Sequence, residues 1–280
     1  MCPVCKAGNA DMNERRPELT LVQRISQAQV QPGEVAIFSL AQAGILIKTN
    51  AGTTLAVDPY LSDCVERLAG FKRLIPAPIS AEDLDVDVLA CTHSHPDHLD
   101  VDALSAVAAH ARTHFVGAPD CADAFRQQGL SASRFTILRP GEEFTYRDLM
   151  LRATFADHGV LAPEAIGFLI RAAEVSIFNA GDTGYAPDRI MATLTLPVDV
   201  MTAPINGAFG NLTETEACRL AAMIRPNLLI GNHFGMFAEQ GGNPRAFIEA
   251  SQGLPDGIQA VVMKPGELIR HRNRQQEVRK

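Results

Sequence analysis

The strongest constraint on the fold is a pattern that runs twice along the chain. A cluster of short β-forming runs gives way to alternating strand and helix signals, then the sequence repeats the arrangement with no linker between. The first pass opens with Glu34–Leu40, Gly44–Thr49 and Thr53–Asp58, separated by turns short enough for antiparallel pairing. A loop-rich stretch from Pro59 to Asp87 follows. It leads into the compact apolar run Val86–Cys91, then a helical pattern at Val101–His110, a strand at Thr113–Val116, a helix at Cys121–Gln128 and a strand at Phe135–Leu138. The second pass opens with Glu143–Tyr146, Met150–Ala156, Gly167–Arg171 and Val175–Asn179. It continues as helix Asp188–Thr193, strand Val198–Pro204, helix Thr213–Ile224, strand Leu228–Gly231, helix Pro244–Gln252 and strand Ala260–Lys264. Thr213-Glu214-Thr215-Glu216 carries the residues of a capping box at the head of its helix. A sheet must bury one face and be covered on the other, so this order predicts two sheets face to face with helices outside: one α/β domain in four layers.

That domain is expected to span residues 32–270. Residues 1–31 form an N-terminal extension, in which Pro17–Val30 has the apolar spacing of an amphipathic helix, and residues 271–280 form a basic tail. Cys2 and Cys5 have the spacing of half a zinc ribbon, but no second pair lies nearby, and a tail is the simpler reading. The run from Arg270 to Lys280 lacks interleaved aromatic residues and reads as a solvated terminus. Net charge is −7, from 25 Lys plus Arg against 32 Asp plus Glu, which disfavours a protein whose task is to coat nucleic acid. Apolar runs are strand-sized and well short of the roughly 20 residues that cross a bilayer, so no membrane association is expected. The polar N-terminal stretch and six scattered cysteines point to reduced thiols and a cytoplasmic location.

Chemistry concentrates directly after the apolar run Val86–Cys91. Thr92-His93-Ser94-His95-Pro96-Asp97-His98 places three imidazoles and a carboxylate within six residues. Alternation along an extended backbone points His93 and His95 the same way, and a turn at Pro96 swings Asp97 and His98 to a neighbouring point. Two adjacent metal ions are the natural occupants, and imidazole with carboxylate suits zinc or manganese. Further candidates sit just past other strands: His158 after Met150–Ala156, Asp182 after Val175–Asn179 and His233 after Leu228–Gly231. In layered α/β folds the C-terminal edge of the strands is where ligands bind.

On these residues the chain resembles the metallo-β-lactamase superfamily, whose HxHxDH signature is met by His93, His95, Asp97 and His98. The resemblance covers Pro32 to Arg270 and implies the αββα sandwich. It also implies that His93, His95 and His158 hold one metal, Asp97, His98 and His233 a second, and Asp182 bridges both. A narrower likeness lies in Gln31–Glu34, Ala43–Ile45, Arg67–Arg73 and Asp85–Ala90, which look like the L-ascorbate-6-phosphate lactonase branch. The chain is shorter than that lactonase after Tyr60 and between His158 and Ile166.

Two cations sharing a hydroxide would supply a nucleophile near neutral pH for an ester or lactone carbonyl. Asp97 is the candidate for proton transfer to the departing alkoxide. The expected activity is a cytoplasmic two-metal lactonase acting on a sugar acid or its phosphate. The alternative is a phosphodiesterase on the same metals, and a non-catalytic metal-binding protein is the least favoured. No Gly-x-Ser-x-Gly elbow is present to support a serine esterase. Asn206, after strand Val198–Pro204, and Arg67 are the substrate-binding candidates, the latter for a phosphate. The substrate is taken to be a small molecule and possible partners to be further copies of the chain.

Overall fold

The computed structural model describes residues 18–273, so the expectations for Cys2, Cys5 and the tail beyond Asn273 lie outside the described residues. Two seven-stranded sheets pack against one another with helices outside. The first contains β1 (Glu34–Ala41), β2 (Gly44–Thr49), β3 (Thr54–Val57), β4 (Val88–Cys91), β5 (His114–Gly117) and β6 (Phe135–Ile137). The second contains β7 (Glu143–Tyr146), β8 (Leu149–Phe155), β9 (Ile166–Ala172), β10 (Val175–Asn179), β11 (Val200–Pro204), β12 (Leu228–Asn232) and β13 (Gln259–Val262). A last strand, β14 (Leu268–Arg272), returns to pair antiparallel with β1, giving the order β14-β1-β2-β3-β4-β5-β6 against β13-β12-β11-β10-β9-β8-β7.

Each sheet begins as an antiparallel meander and ends in four parallel strands, β3 to β6 in one and β10 to β13 in the other. Parallel neighbours require crossovers, and those crossovers place helices on the outer faces. They are α3 (Leu104–Ala108) and α4 (Ala122–Gln127) over the first sheet, and α5 (Pro187–Met191), α6 (Glu214–Ile224) and α7 (Pro244–Ser251) over the second, with α1 (Leu21–Gln27) and α2 (Cys64–Ala69) preceding them in the chain. Strand periodicity sorts the core. Ile170, Ile177, Val200, Leu228 and Ile230 face the first sheet, while Leu169, Phe178, Met201 and Leu229 face α5 to α7 along with Phe247.

Thr213 and Glu216 form both reciprocal hydrogen bonds of the expected capping box on α6. Two expectations need correction. Cys64–Ala69, inside the stretch read as loop, is α2; a helix of six residues is too short to establish a periodicity. Arg270 to Arg272, read as the beginning of a solvated tail, instead complete β14, with Ile269, Arg270, His271 and Arg272 opposite Ile37, Ala36, Val35 and Glu34. A charged strand on a sheet edge carries little alternation signal, and its charge protects the edge from further pairing. The described part of the extension, from Glu18, is also tied down: Thr20 caps α1, Leu21 is buried, and Lys48 Nζ donates to the Ile25 and Ser26 carbonyls.

Candidate metal centre

The C-terminal ends of β3, β4, β8, β10 and β12 reach one edge of the sandwich, and each delivers one or more polar residues there. Asp58 follows β3, the histidine segment follows β4, His158 follows β8, Asp182 follows β10 and His233 follows β12. Turning the chain sharply at this edge requires unusual backbone. Gln42, Asp58 and His233 all adopt positive φ, at 51°, 49° and 59°, a conformation that costs a residue with a Cβ and concentrates at functional sites. Gly181, immediately before Asp182, is a position where a Cβ would sit 2.7 Å from the Ile166 carbonyl oxygen and 3.1 Å from Thr92. Only glycine lets the Asp182 loop approach the histidine segment that closely.

The expected ligand residues converge in two groups. Ligating atoms of His93, His95, His158 and Asp182 lie within 4.8 Å of one another, as do those of Asp97, His98 and His233. Asp182 joins them. Its Oδ1 stands 3.3 Å from His98 Nε2 and 3.2 Å from His233 Nε2, while Oδ2 stands 3.7 Å from His158 Nε2 and accepts from Asn211 Nδ2 at 2.8 Å.

For His93, His95 and His98, hydrogen bonds on the far side of the ring determine which nitrogen faces inward. Thr92 Oγ1 donates to Asp58 Oδ2 at 2.8 Å, so it is left to accept from His93 Nδ1 at 3.1 Å. His93 Nε2 is then the inward atom, and it is buried with no protein hydrogen-bond partner. His95 Nε2 donates to the Leu161 carbonyl at 3.2 Å, which turns its Nδ1 toward the centre, 3.3 Å from His158 Nε2. His98 Nδ1 faces Asp58 Oδ2 at 3.0 Å and presents Nε2 inward. A buried nitrogen without a partner is costly, and the inward lone pairs of His93 Nε2 and His95 Nδ1 are satisfied when a cation sits between them. The donor set therefore fits a metal on the residues' own chemistry.

Electrostatics agree. Burial, reinforced by the neighbouring His98, drives the His93 imidazole well below its usual range, and burial drives His158 down to about 4. Burial also opposes charge on His98, but the carboxylates of Asp182, Asp58 and Asp97 outweigh it and hold that imidazole well above its usual range. Desolvation would raise Asp97 and Asp182, yet the surrounding histidines pull both below the ordinary carboxylate range. The site thus sets two carboxylates against His93 and His158, which burial holds neutral, and against His98, whose positive charge they retain in the place a divalent cation would take.

Partners of the ligating groups were not legible in the sequence. Asp58 orients Thr92 and His98. Gln42 Nε2 donates to Asp97 Oδ2 at 2.7 Å, and Gln240 links Gln42 Oε1, at 2.8 Å, to His233 Nδ1, at 2.8 Å. Gln240 is itself fixed by accepting from Met236 N–H. Asp58 carried one available signal, its place just past a strand end; the two glutamines carried none.

The proposed substrate contacts did not assemble. The Arg67 guanidinium makes a bidentate pair with Asp102, Nε at 3.0 Å and Nη2 at 2.5 Å, on an exposed helix face away from the cavity. Asn206 is buried in a turn, bridged to Thr213 with Nδ2 donating to the Ala208 carbonyl, and is not among the cavity's lining residues. Arg73, which the sequence grouped with Arg67, is spent on the carbonyls of Tyr60, Ser62 and Ile75. His95, Asp97, His158, Asp182 and His233 do line a cavity of about 230 Å³ that opens to solvent.

Residues 53–234 match the model of the beta-lactamase superfamily domain. A UPF0173 metal-dependent hydrolase of Aeropyrum pernix is 30% identical over 230 residues, covering 77% of this chain and 89% of the relative. A Salmonella gallinarum protein named "Probable L-ascorbate-6-phosphate lactonase UlaG" is 23% identical over 270 residues, covering 80% and 76%. Among solved structures, the metallo hydrolase Igni18 of Ignicoccus hospitalis superposes with a TM-score of 0.70 at 19% identity, covering 86% of this chain and 99% of that one. The fold, the converging ligands and these matches lead to one conclusion: the chain belongs to the beta-lactamase superfamily and is a metal-dependent hydrolase.

Proposed function

We propose that this protein is a two-metal hydrolase of a carboxylic ester, with a lactone as the preferred form. One observation carries the reading: the two oxygens of Asp182 face different imidazole groups, as a carboxylate shared between two cations must. His93, His95 and His158 would hold one divalent ion, zinc or manganese, Asp97, His98 and His233 the other, and Asp182 both. Two such ions supply Lewis acidity, which acidifies water and polarises a carbonyl.

The chain's own residues do the rest. Asp97 lines the cavity, and Gln42 and His233 hold its carboxylate in place. A carboxylate facing the cavity can take up the proton that water releases on attacking the carbonyl and return it to the alkoxide that leaves, and this is the role assigned to Asp97. Gln240 and Gln42 restrict His233, and Asp58 and Thr92 restrict His98 and His93, so little reorganisation accompanies the reaction. Among the described residues no Lys or Arg lines the cavity, which lends no support to a phosphate-bearing sugar lactone. Among the described residues no helix is long and apolar enough to cross a membrane. The four described cysteines are free thiols, which supports a reducing, cytoplasmic setting for a small-molecule enzyme.

The test is a side-by-side screen of metal-reconstituted protein on sugar lactones, their phosphates, neutral lactones and a small phosphodiester, with His95→Ala as control. Turnover of lactones lost in His95→Ala supports the reading. Turnover of the phosphodiester alone would replace it with phosphodiester hydrolysis, and a single ion per chain by elemental analysis would end the two-metal reading.

A further inference from the structure

Besides the metal ligands, the cavity is lined by aromatic rings brought together from loops that lie far apart in the chain. Phe71 follows α2, Phe209 follows β11 and Phe237 follows β12. Phe71 sits with its ring centroid 6.1 Å from Phe209 and 6.3 Å from Phe237, and Tyr60 backs Phe237 at 5.7 Å. Leu161, from the loop after β8, closes the wall beside His95.

Two features of this wall are expensive for a purely structural role. Phe209 is 46% exposed and Leu161 52% exposed, so much of their apolar surface gains nothing from folding. Phe209 also holds φ at 54°, a left-handed conformation in which a bulky side chain is strained and glycine is not, and its neighbour Gly210 shares that region at 82°. An aromatic ring kept half in water on backbone that favours glycine contributes little to stability; its place in the lining of the cavity that holds the metal ligands gives it another use.

Building on the ester hydrolase reading, we propose that Phe71, Phe209, Phe237 and Leu161 form the specificity site, and that the substrate is a small neutral ester or lactone carrying an aromatic or branched apolar substituent. Arg67 is paired with Asp102 and Arg73 with backbone carbonyls, and among the described residues no Lys or Arg lines the cavity, so a phosphate or carboxylate on the substrate would find no cationic side chain there. Apolar surface transferred onto the rings would be removed from water, and an aromatic substituent can meet them edge to face. At about 230 Å³ the cavity is below the roughly 300–1,000 Å³ of pockets for drug-sized ligands, which limits the substituent to about one ring.

Binding to a lactam separates this assignment from the reaction itself, because a lactam keeps the ring and resists hydrolysis. Isothermal titration of the metal-loaded protein with 5-phenylpyrrolidin-2-one and with unsubstituted pyrrolidin-2-one is expected to show the phenyl compound binding roughly tenfold tighter or more. Phe209→Gly is expected to abolish that preference while its melting temperature holds or rises, since strain is relieved and little burial is lost. Equal affinities for the two lactams would overturn the proposal, as would a preference retained in Phe209→Gly, or a dimer that Phe209→Gly splits, which would assign the exposed rings to self-association. Preferential binding of the phenyl lactam with no turnover of any lactone would remove the lactonase reading and leave the specificity site standing.

Discussion

The two walls of one cavity are built on opposite terms. The metal-binding wall is buried and polar, and hydrogen bonds to Thr92, Asp58, Gln42, Gln240 and Asn211 determine the inward atom or position of its side chains. The aromatic wall has no such scaffold: its outermost rings and Leu161 stand part in solvent on loops. Rigid polar placement suits chemistry that tolerates little error in distance, whereas a loose apolar surface suits recognition, where contact area matters more than angle. The first wall therefore serves reaction and the second selectivity, and variants in each should fail in different ways.

The largest effect belongs to the shared carboxylate. Asp182→Ala is expected to reduce turnover to background and to lower the bound metal per chain by at least one ion, read by elemental analysis of protein purified without added metal. Retention of both ions would show that Asp182 is dispensable as a bridge. Asp97→Asn comes next: turnover is expected to fall by about 10²- to 10⁴-fold with at least one ion still bound, the range for losing a positioned proton-transfer group. Full retained activity would refute that role. Asp58→Asn touches no metal and removes only the orienting charge behind His98 and Thr92; metal affinity is expected to fall roughly 10- to 100-fold, measured by competition with a chelator of known strength. An unchanged affinity would show that packing alone orients these rings.

A pH experiment reads the same wall without metal. In chelated protein His98 is held protonated by its carboxylates, so its folded pKa is raised; the stability it contributes is full below the usual imidazole value of about 6.5 and is lost as pH rises through the raised value. His93 and His158 are shifted the other way, and their contributions are present above that same value and lost as pH falls. Between about pH 6.5 and 8, below the thiol range, the His98 effect is the one of these three that remains, so the melting temperature of the chelated protein should decline there while the metal-loaded protein stays flat. A chelated protein that gains stability over that window would reverse the assignment. The smallest effect lies on the aromatic wall, where Leu161→Ala should raise KM for an apolar lactone a few-fold and leave kcat unchanged. A fall in kcat instead would mean that the Leu161 carbonyl's grip on His95 had shifted with the loop.

How much of this was legible in the chain differs between the walls for a physical reason. His93, His95, Asp97 and His98 share one short segment, and residue type with spacing is enough to recognise them. His158, Asp182 and His233 each follow a strand signal, so the rule that ligands gather at strand ends located them. Gln42 and Gln240 belong to ordinary-looking loops, and only the folded chain brings them within 2.8 Å of one another. Arg67 shows the reverse failure: a cation at a plausible place in sequence proved to be neutralised by Asp102, 35 residues away. Strand β14 escaped notice because an edge strand needs only one partner and its exposed charges mask any alternation.

The layered α/β architecture and the identities of the metal-capable side chains were readable along the chain, because both follow from short-range patterns: hydrophobic period, turn chemistry and ligand type at strand ends. Tertiary structure decided which imidazole nitrogen faces the centre, which cations were free to meet a substrate, and that Phe71, Leu161, Phe209 and Phe237 share one wall. Those outcomes depend on contacts between residues tens to hundreds of positions apart. Such contacts are set by how two sheets close on each other, and no local pattern in the chain encodes that closure.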